Sequence, residues 1–394
     1  MSIIHLSTNL EPPVYKLPPD LLSAIFIITL NSANVSDDLV PEHLGHVCRR
    51  WYDTVVSYGV LWTTIKLCYA TERIFQCKSL VPYTRRRLKR SRGALLDISV
   101  DYRIGQWDTG YLQPFLECIG DEGQVMKRWA SITVTSYHDF PSLLLDLLRY
   151  PTPQLRAANF RCGQYRHYDT SHLLPSTPRL VGMEIGDLKL RGPESAFVSP
   201  SHIPKTVTRL QIFAWDNASA WKIFSPFTYV VIMHLCIGNG AGRAPEGGPS
   251  HVTFPYLKDL STSVVCDAIS ILKRISAPSL THLRLKLGER KQERTGLILM
   301  SFESTVITQI EHLEVRALHC SSRDDFGLFM QEFGNVRELH LDRIGVYRYT
   351  LNLGWYVTQD CSSVLNDPSL CPLLERCVVN RRAREDLVAL RKQT

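Results

Sequence analysis

His43, His46 and Cys48 lie close together in the sequence, and imidazole and thiolate groups are the usual ligands of structural zinc. A zinc finger also needs a second pair of ligands, and no such pair follows at finger spacing. The 11 cysteines include no CxxC pair. We therefore predict no metal site, no disulfide framework and no cofactor, with the cysteines reduced and mostly buried.

Motifs for catalysis are also missing from the sequence, which contains no GxSxG, HExxH, P-loop or kinase set. The glycine-rich stretch 237–250 follows an apolar segment, as a phosphate-binding loop would. Pro245 and Pro249, however, would interrupt the helix that a dinucleotide phosphate needs. We interpret this stretch as a surface loop, and the chain as a binding protein rather than an enzyme.

The densest group of charges is the run TRRRLKRSRG at 84–93, which suits a nuclear import signal or a phosphate-binding patch. Leu80, Leu88 and Leu95 instead predict a helix whose basic side chains are solvated. No aromatic residues are interleaved for stacking on bases. The net charge of +7, from 45 basic and 38 acidic residues, is mild. We do not expect nucleic acid as a partner, and nuclear import stays open.

Residues 17–30, LPPDLLSAIFIITL, predict a helix that begins near Pro18 and Pro19, with the Asp20 carboxylate at its positive end. From 21 to 30 only Ser23 and Thr29 are polar, so almost the whole circumference is apolar. The run is shorter than the about 20 residues of a membrane span, and its flanks differ from those of a signal peptide. We expect a cytoplasmic or nuclear protein without a membrane segment, whose first helix is covered by the chain or by a partner.

A second amphipathic helix is predicted within 41–67, because Leu44, Val47, Trp51 and Val55 recur at spacings of three or four; Gly59 then allows a turn, and LWTTIKL alternates like a strand. Together LPPDLLSAIF and VCRRWYDTV…LW resemble an F-box, the module that docks substrate receptors on the small adaptor of cullin-based ubiquitin ligases. Asp20 occupies a position at which F-box sequences more often have Glu. The resemblance implies an adaptor-binding face with its supporting core at Leu17, Pro18, Leu22, Ile25, Phe26, Val47, Cys48 and Trp51. The alternative is that these helices only cap the rest of the chain.

An internal repeat occupies most of the remaining sequence. The pattern LxxLxL, with any aliphatic accepted, matches at 155, 180, 207, 232, 257, 280, 310 and 336, in steps of 23 to 30 residues. Weaker matches begin at 95, 129 and 373. This period is typical of leucine-rich repeats. The Asn or Cys of the strict consensus is absent, since the corresponding positions read Gly163, Leu188, Trp215, Gly240, Val265, Gly288, Leu318 and Ile344.

Each repeat predicts a strand followed by a return segment, and several return segments have helical patterns, as in 139–150, 264–275 and 324–333. Pro153, Pro178, Pro255 and Pro278 stand just before predicted strands and would stop a preceding helix. The fold class is therefore α/β: a short N-terminal helical F-box followed by an irregular leucine-rich-repeat-like solenoid. We expect a tail at 1–14, the F-box at 15–68, a connector helix at 69–94 and the solenoid at 95–394.

Polar residues on the strands are expected to lie on the concave side of the solenoid and to form columns, with His282 beside His312. They give a basic centre flanked by acidic residues that suits an acidic or phosphorylated peptide. The expected client-binding residues are His282, Arg284, Lys286, His312, Glu314, Arg316 and His340. The alternatives are that the paired histidines bind a metal, or that this is an ordinary solvated face that binds no client. If the face captures no client, the next candidate client-binding segments are the loops at 238–249 and 347–368.

The stretches LKRSRGALLDISV and RWASITVTS are similar to the connector and first strands of the large fungal F-box group. The combined resemblance implies a substrate-recognition subunit of an SCF-type ubiquitin ligase: the F-box binds the adaptor and, through it, a cullin, and the solenoid binds an unknown protein client. The alternative is a scaffold or regulatory interaction module without ligase function. The sequence names neither the client nor any modification that it must carry.

Overall fold

The computed structural model of the protein describes residues 16–32, 40–68, 77–102, 109–136, 142–162, 167–168, 174, 177–186, 189–190, 205–214, 220–221, 223, 225–237, 251–264, 274–287, 309–316, 319–320, 323–342, 345–346 and 372–380. Contacts within the chain divide it into two compact units. The first comprises Met1–Asp101 and Gln106–Ile132, and the second comprises Tyr102–Gly105 and Thr133–Thr394.

The first unit is mainly helical in its described part. Its helices are α1 (Pro19–Ser32), α2 (Val40–Gly45), α3 (Arg49–Ser57), α4 (Cys77–Arg90) and α5 (Thr109–Gly120). Short 3-10 turns lie at Gly59–Trp62, Asp121–Gly123 and Met126–Arg128. The helix predicted from the Pro-Pro-Asp start is confirmed: the Leu22 N–H donates to the Pro18 carbonyl at 3.1 Å, and the Ser23 hydroxyl donates to the Asp20 carbonyl at 2.8 Å.

An apolar core joins α1, α3 and the Gly59–Trp62 turn. It consists of Leu22, Phe26, Val55, Leu61 and Trp62. The Trp62 indole N–H donates to the Val55 carbonyl at 2.7 Å, so its polar atom is satisfied in the core. Full burial contributes about 1.5–3 kcal/mol for each such large apolar side chain. The core therefore fixes which side of α1 faces inward.

Strand β1 (Thr64–Cys68) pairs in parallel with β2 (Leu96–Tyr102), which places Ile65 beside Ile98 and Leu67 beside Val100. Strand β3 (Trp129–Ser136) follows α5 and buries alternate residues, among them Ile132 and Val134. The weaker repeat matches at 95 and 129 thus correspond to real strands, as predicted.

The second unit is a parallel solenoid, so the coarse fold class is confirmed. Its strands are β4 (Ala157–Cys162), β5 (His167–Tyr168), β6 (Gly182–Gly186), β7 (Lys189–Leu190), β8 (Arg209–Ala214), β9 (Ile232–Ile237), β10 (Val252–Thr253), β11 (Asp259–Val264), β12 (Ile275–Ser276), β13 (His282–Leu287), β14 (His312–Arg316), β15 (His319–Cys320), β16 (Glu338–Asp342), β17 (Gly345–Val346) and β18 (Arg376–Asn380). The longer strands pair in the order β4-β6-β8-β9-β11-β13-β14-β16-β18, always in parallel.

Alternation along these strands separates a buried face from a polar face. In β13, for example, Leu283 and Leu285 are buried, whereas Arg284 and Lys286 are exposed. The predicted prolines stand in turns, each four residues before its strand; Pro255, for instance, precedes Asp259 by four residues. Equivalent positions in successive repeats therefore lie side by side.

Two repeat frames read from the sequence are wrong by one or two residues. In the 232 repeat, Met233 pairs with Leu210, so the first buried aliphatic is Val230 and Ile232 lies on the polar face. The weak match at 373 begins instead at Leu374, because Arg376 is the partner of Glu338. Both segments contain consecutive aliphatic residues, so the sequence pattern does not separate the two frames, and strand register decides between them.

In the part of the unit that the structure describes, the return segments contain both helices and short strands. Helices α6 (Ser142–Leu147) and α7 (Arg323–Glu332) confirm the patterns at 139–150 and 324–333. Other return segments contain two-residue strands, which pair as β5 with β7, β10 with β12 and β15 with β17. The helix predicted at 264–275 has its centre outside the described residues, and its ends belong to β11 and β12.

Several sequence expectations concern residues that the structure does not describe: the tail at 1–14, the loops at 238–249 and 347–368, and all eight positions of the missing Asn or Cys. Among the described helices, none is long and apolar enough to cross a membrane.

Candidate protein-interaction surfaces

Helix α1 has two apolar sides with different surroundings. Leu22 and Phe26 are 1% and 0% exposed in the core, and the Phe26 ring meets Trp51 edge to face, with centroids 4.9 Å apart. On the opposite side Leu21, Ile25 and Ile28 follow one another at i, i+4 and i+7, and are 54%, 44% and 64% exposed. The sequence grouped Leu22, Ile25 and Phe26 together. Of these three, only Ile25 is exposed, and the other two support the fold from inside.

The start of α1 is attached to α3. The Arg50 guanidinium donates to the Leu17 carbonyl, and the Tyr58 hydroxyl donates to the Asp20 carboxylate at 2.5 Å. This hydrogen bond to Asp20 is the main cause of a raised pKa of Tyr58. Nothing in the sequence indicates that Arg50 and Tyr58 hold the start of α1, because only the fold brings them close to it. They fix the angle at which α1 presents its exposed side.

The remaining predicted adaptor residues lie around the start of α3. Val47 is 60% exposed in the turn before α3, and Cys48 is half-buried at the N-cap with extended backbone. An open hollow is lined by Pro19, Cys48, Arg49, Arg50, Asp53, Thr54 and Ser57. Pro18 is exposed, and Leu17 and Trp51 are half-buried. The first turn of α1 and the outer side of α3 thus contribute to one surface.

The basic run at 84–93 is partly structural, which corrects the expectation of a fully solvated set. Arg87 is 3% exposed; it donates to the Thr64 carbonyl at 2.6 Å and lies 3.4 Å from the Glu42 carboxylate. The Arg90 guanidinium lies over the Trp62 ring, 4.3 Å from its centroid. Arg85, Arg86, Lys89 and Arg92 are exposed. The run therefore attaches α4 to the core while leaving four bases in solvent.

The polar face of the second unit forms the predicted columns, because the parallel register aligns equivalent residues. His282 pairs with His312, and their rings stack with centroids 4.1 Å apart and planes 10° apart. The His282 Nδ1 lies 2.8 Å from the Thr281 hydroxyl, and the His312 Nδ1 lies 3.1 Å from a Glu338 carboxylate oxygen. Burial, then the neighbouring His312, lowers the pKa of His282, so its ring is neutral at neutral pH.

The predicted basic centre of the polar face is compensated by ion pairs within the chain. Arg284 lies 3.1 Å from Asp259 and 3.5 Å from Glu314, and Glu314 lies 2.6 Å from Arg316. On β11, β13, β14 and β16 this face carries three Lys or Arg and four Asp or Glu side chains, an excess of one acidic group. Lys286 and His340 have no ion pair among the described residues. This face can bind a ligand that carries both positive and negative groups, but it does not select for anions.

Among the described residues, no group of three or more His, Cys, Asp or Glu side chains is arranged to hold a metal ion. No model of a known protein family matches the sequence, and no curated protein is significantly similar to it. The function must therefore be inferred from the chain's own residues and their geometry.

Proposed function

We propose that the protein is an F-box substrate receptor: its first unit docks on the small adaptor of an SCF-type ubiquitin ligase, and its leucine-rich-repeat-like solenoid holds a protein client. The observation that carries this proposal is the two-sided apolar helix α1. One side packs in the core, and the other leaves Leu21, Ile25 and Ile28 exposed. This stripe belongs to the segment that resembles an F-box.

The exposed stripe suits a partner groove for a physical reason. Residues at i, i+4 and i+7 fall on one face of a helix and are the anchors of helix-in-groove recognition. A helix that served only as a cap would leave a polar outer face, as terminal caps of repeat proteins do. The exposed Leu21, Ile25 and Ile28 are therefore better explained by docking than by capping.

Adaptor docking is tested with a pair of charge substitutions on this stripe. In the Ile25→Asp/Ile28→Asp variant, burial of the stripe in a groove would also bury two unpaired carboxylates, which costs several kcal/mol. Co-purification with the adaptor and cullin should be lost. Leu328→Asp is the matched control, because Leu328 is also an exposed helical residue, at 57%, but lies on α7. If the double variant melts normally and still binds the adaptor, the docking proposal is wrong.

Client capture is assigned to the polar face. The sharpest variant is Lys286→Ala/His340→Ala, since these side chains take no part in the Asp259–Arg284–Glu314–Arg316 ion pairs. It should weaken capture of a co-purifying client while adaptor binding and Tm stay unchanged. Unaltered capture would place the client elsewhere. Whether the captured protein is then turned over distinguishes a receptor from a scaffold. A receptor accelerates ubiquitin transfer by proximity alone.

A further inference from the structure

The turns that precede the strands of the second unit form a continuous edge, here named the strand-start edge. Backbone hydrogen bonds connect it at the residue before each strand: the Val181 N–H donates to Arg156, Thr208 to Val181, Val231 to Thr208, and Lys258 to Val231, all at 2.8–2.9 Å. The same ladder continues to Thr281, Glu311, Arg337 and Glu375. Side chains that are far apart in sequence therefore occupy neighbouring places along this edge.

Charge is distributed unevenly along the strand-start edge. The described segments that lead into the longer strands contain no Asp or Glu: 151–156, 177–181, 205–208, 225–231, 251–258 and 274–281, of which the last two include β10 and β12. They contain the bases Arg156, Arg179, Lys205, Lys258 and Arg274, and the first four of these are exposed. Beyond β13 the residues in the backbone ladder are Glu311, Arg337 and Glu375, whose charges are of both signs. The basic part of the edge thus covers β4 to β13.

The four exposed bases, Arg156, Arg179, Lys205 and Lys258, are not neutralised by carboxylates in the described part of the chain. Arg179 bonds to the neutral Gln154 amide oxygen at 2.5 Å, and the Lys205 ammonium lies over the Tyr229 ring, 5.8 Å from its centroid. The nearby Asp259 already pairs with Arg284. On the polar face, in contrast, Arg284 and Arg316 are paired with carboxylates. Of the two surfaces compared, the strand-start edge is therefore the one whose described charges attract anions.

Two tyrosines interrupt the row of bases. Tyr229 and Tyr256 each stand three residues before their strand, and their rings stack with centroids 5.8 Å apart and planes 15° apart. They remain 37% and 53% exposed. Tyr229 lies between the Lys205 ammonium and the Tyr256 ring, so the outer face of the more exposed Tyr256 is the flat surface on which a planar group can stack.

We propose that the strand-start edge binds single-stranded nucleic acid, with Arg156, Arg179, Lys205 and Lys258 contacting phosphates and Tyr256, supported by the Tyr229 ring, stacking on a base. Neighbouring strands are about 4.8 Å apart, so the edge from β4 to β11 extends about 19 Å. Bases that follow the backbone, with aromatic side chains between them, are the combination by which single strands are held without sequence preference. An acidic peptide would use the bases but not need the exposed ring faces.

The test measures fluorescence anisotropy of labelled probes with the full chain: a 12-nucleotide oligo-U, a duplex of the same length and a 12-residue poly-glutamate. The oligo-U should bind most tightly. Its log affinity should fall with log salt at a slope of about −3, because four phosphate contacts contribute about −0.7 each. Absence of oligo-U binding at low salt would overturn the proposal.

Separate variants test the contribution of the basic side chains and the contribution of the tyrosine rings. Arg156→Gln/Lys258→Gln should reduce the slope by about 1.4, while Tyr256→Ala should weaken oligo-U binding about 10-fold or more with the slope unchanged. The matched controls are Arg85→Gln/Arg86→Gln on α4 and Tyr52→Ala, which is 48% exposed on α3. Both controls should bind like the parent. Loss of binding in the α4 control, or equal binding of poly-glutamate with no effect of Tyr256→Ala, would reject nucleic acid as the ligand of this edge.

Discussion

Replacement of Phe26 by alanine should destabilise the first unit far more than the same change at its neighbour Ile25. Phe26 is 0% exposed, contacts Trp51 and belongs to the core with Leu22 and Trp62. Truncation of a buried Phe removes its transfer free energy and leaves a cavity, which costs about 3–5 kcal/mol. Ile25 is 44% exposed on the opposite side, so Ile25→Ala should cost under about 1 kcal/mol. The contrast follows only from the way α1 faces the core.

The free energy of unfolding is measured by urea titration with tryptophan fluorescence, to which Trp51 and Trp62, next to the substituted site, contribute among the chain's seven tryptophans. Hydrogen exchange of peptides from α1 and α3 then shows whether the lost protection belongs to the first unit. Phe26→Ala should expose these amides, and Ile25→Ala should leave them protected. Equal costs for the two variants, or a larger cost at Ile25, would refute the assignment of the buried and exposed sides of α1.

Three further predictions concern other contacts. Gly59→Ala should lower the free energy of unfolding by about 1–3 kcal/mol, because a Cβ at Gly59 would lie 2.9 Å from the Ser91 carbonyl oxygen, whereas Gly93→Ala, with open space around it, should be nearly neutral in the same urea titration. Arg87→Ala should lower Tm more than Arg85→Ala, because Arg87 is buried against Glu42 and Thr64 and Arg85 is exposed; similar melting curves would contradict this. The pKa of His282 is lowered from 6.5 by burial and then by His312, so its contribution to stability is complete above about pH 6.5 and is lost as pH falls through the folded pKa. His282→Asn should therefore show a smaller drop in Tm between about pH 7.5 and about pH 5.5 than the parent, and identical drops would count against it.

The sequence by itself determined the locations of the longer strands and of α1. The spacing of aliphatic residues found every longer strand of the solenoid, because a strand with one buried face must alternate. The Pro-Pro-Asp start located α1, because proline and a carboxylate favour a helix N-terminus. The columns at His282 and His312 were also predictable, since parallel repeats of similar length align equivalent positions.

Only the tertiary structure decided which apolar and charged side chains are left for partners. In an all-apolar helix the sequence does not say which side faces inward, so the exposure of Leu21 and Ile28 depended on the position of Trp62. The pairing of Arg284 with Asp259 and Glu314 turned an expected basic centre into a compensated one. The basic edge from Arg156 to Lys258 is spread over about a hundred residues of sequence, and only stacking of the repeats brings those charges and the two tyrosines together.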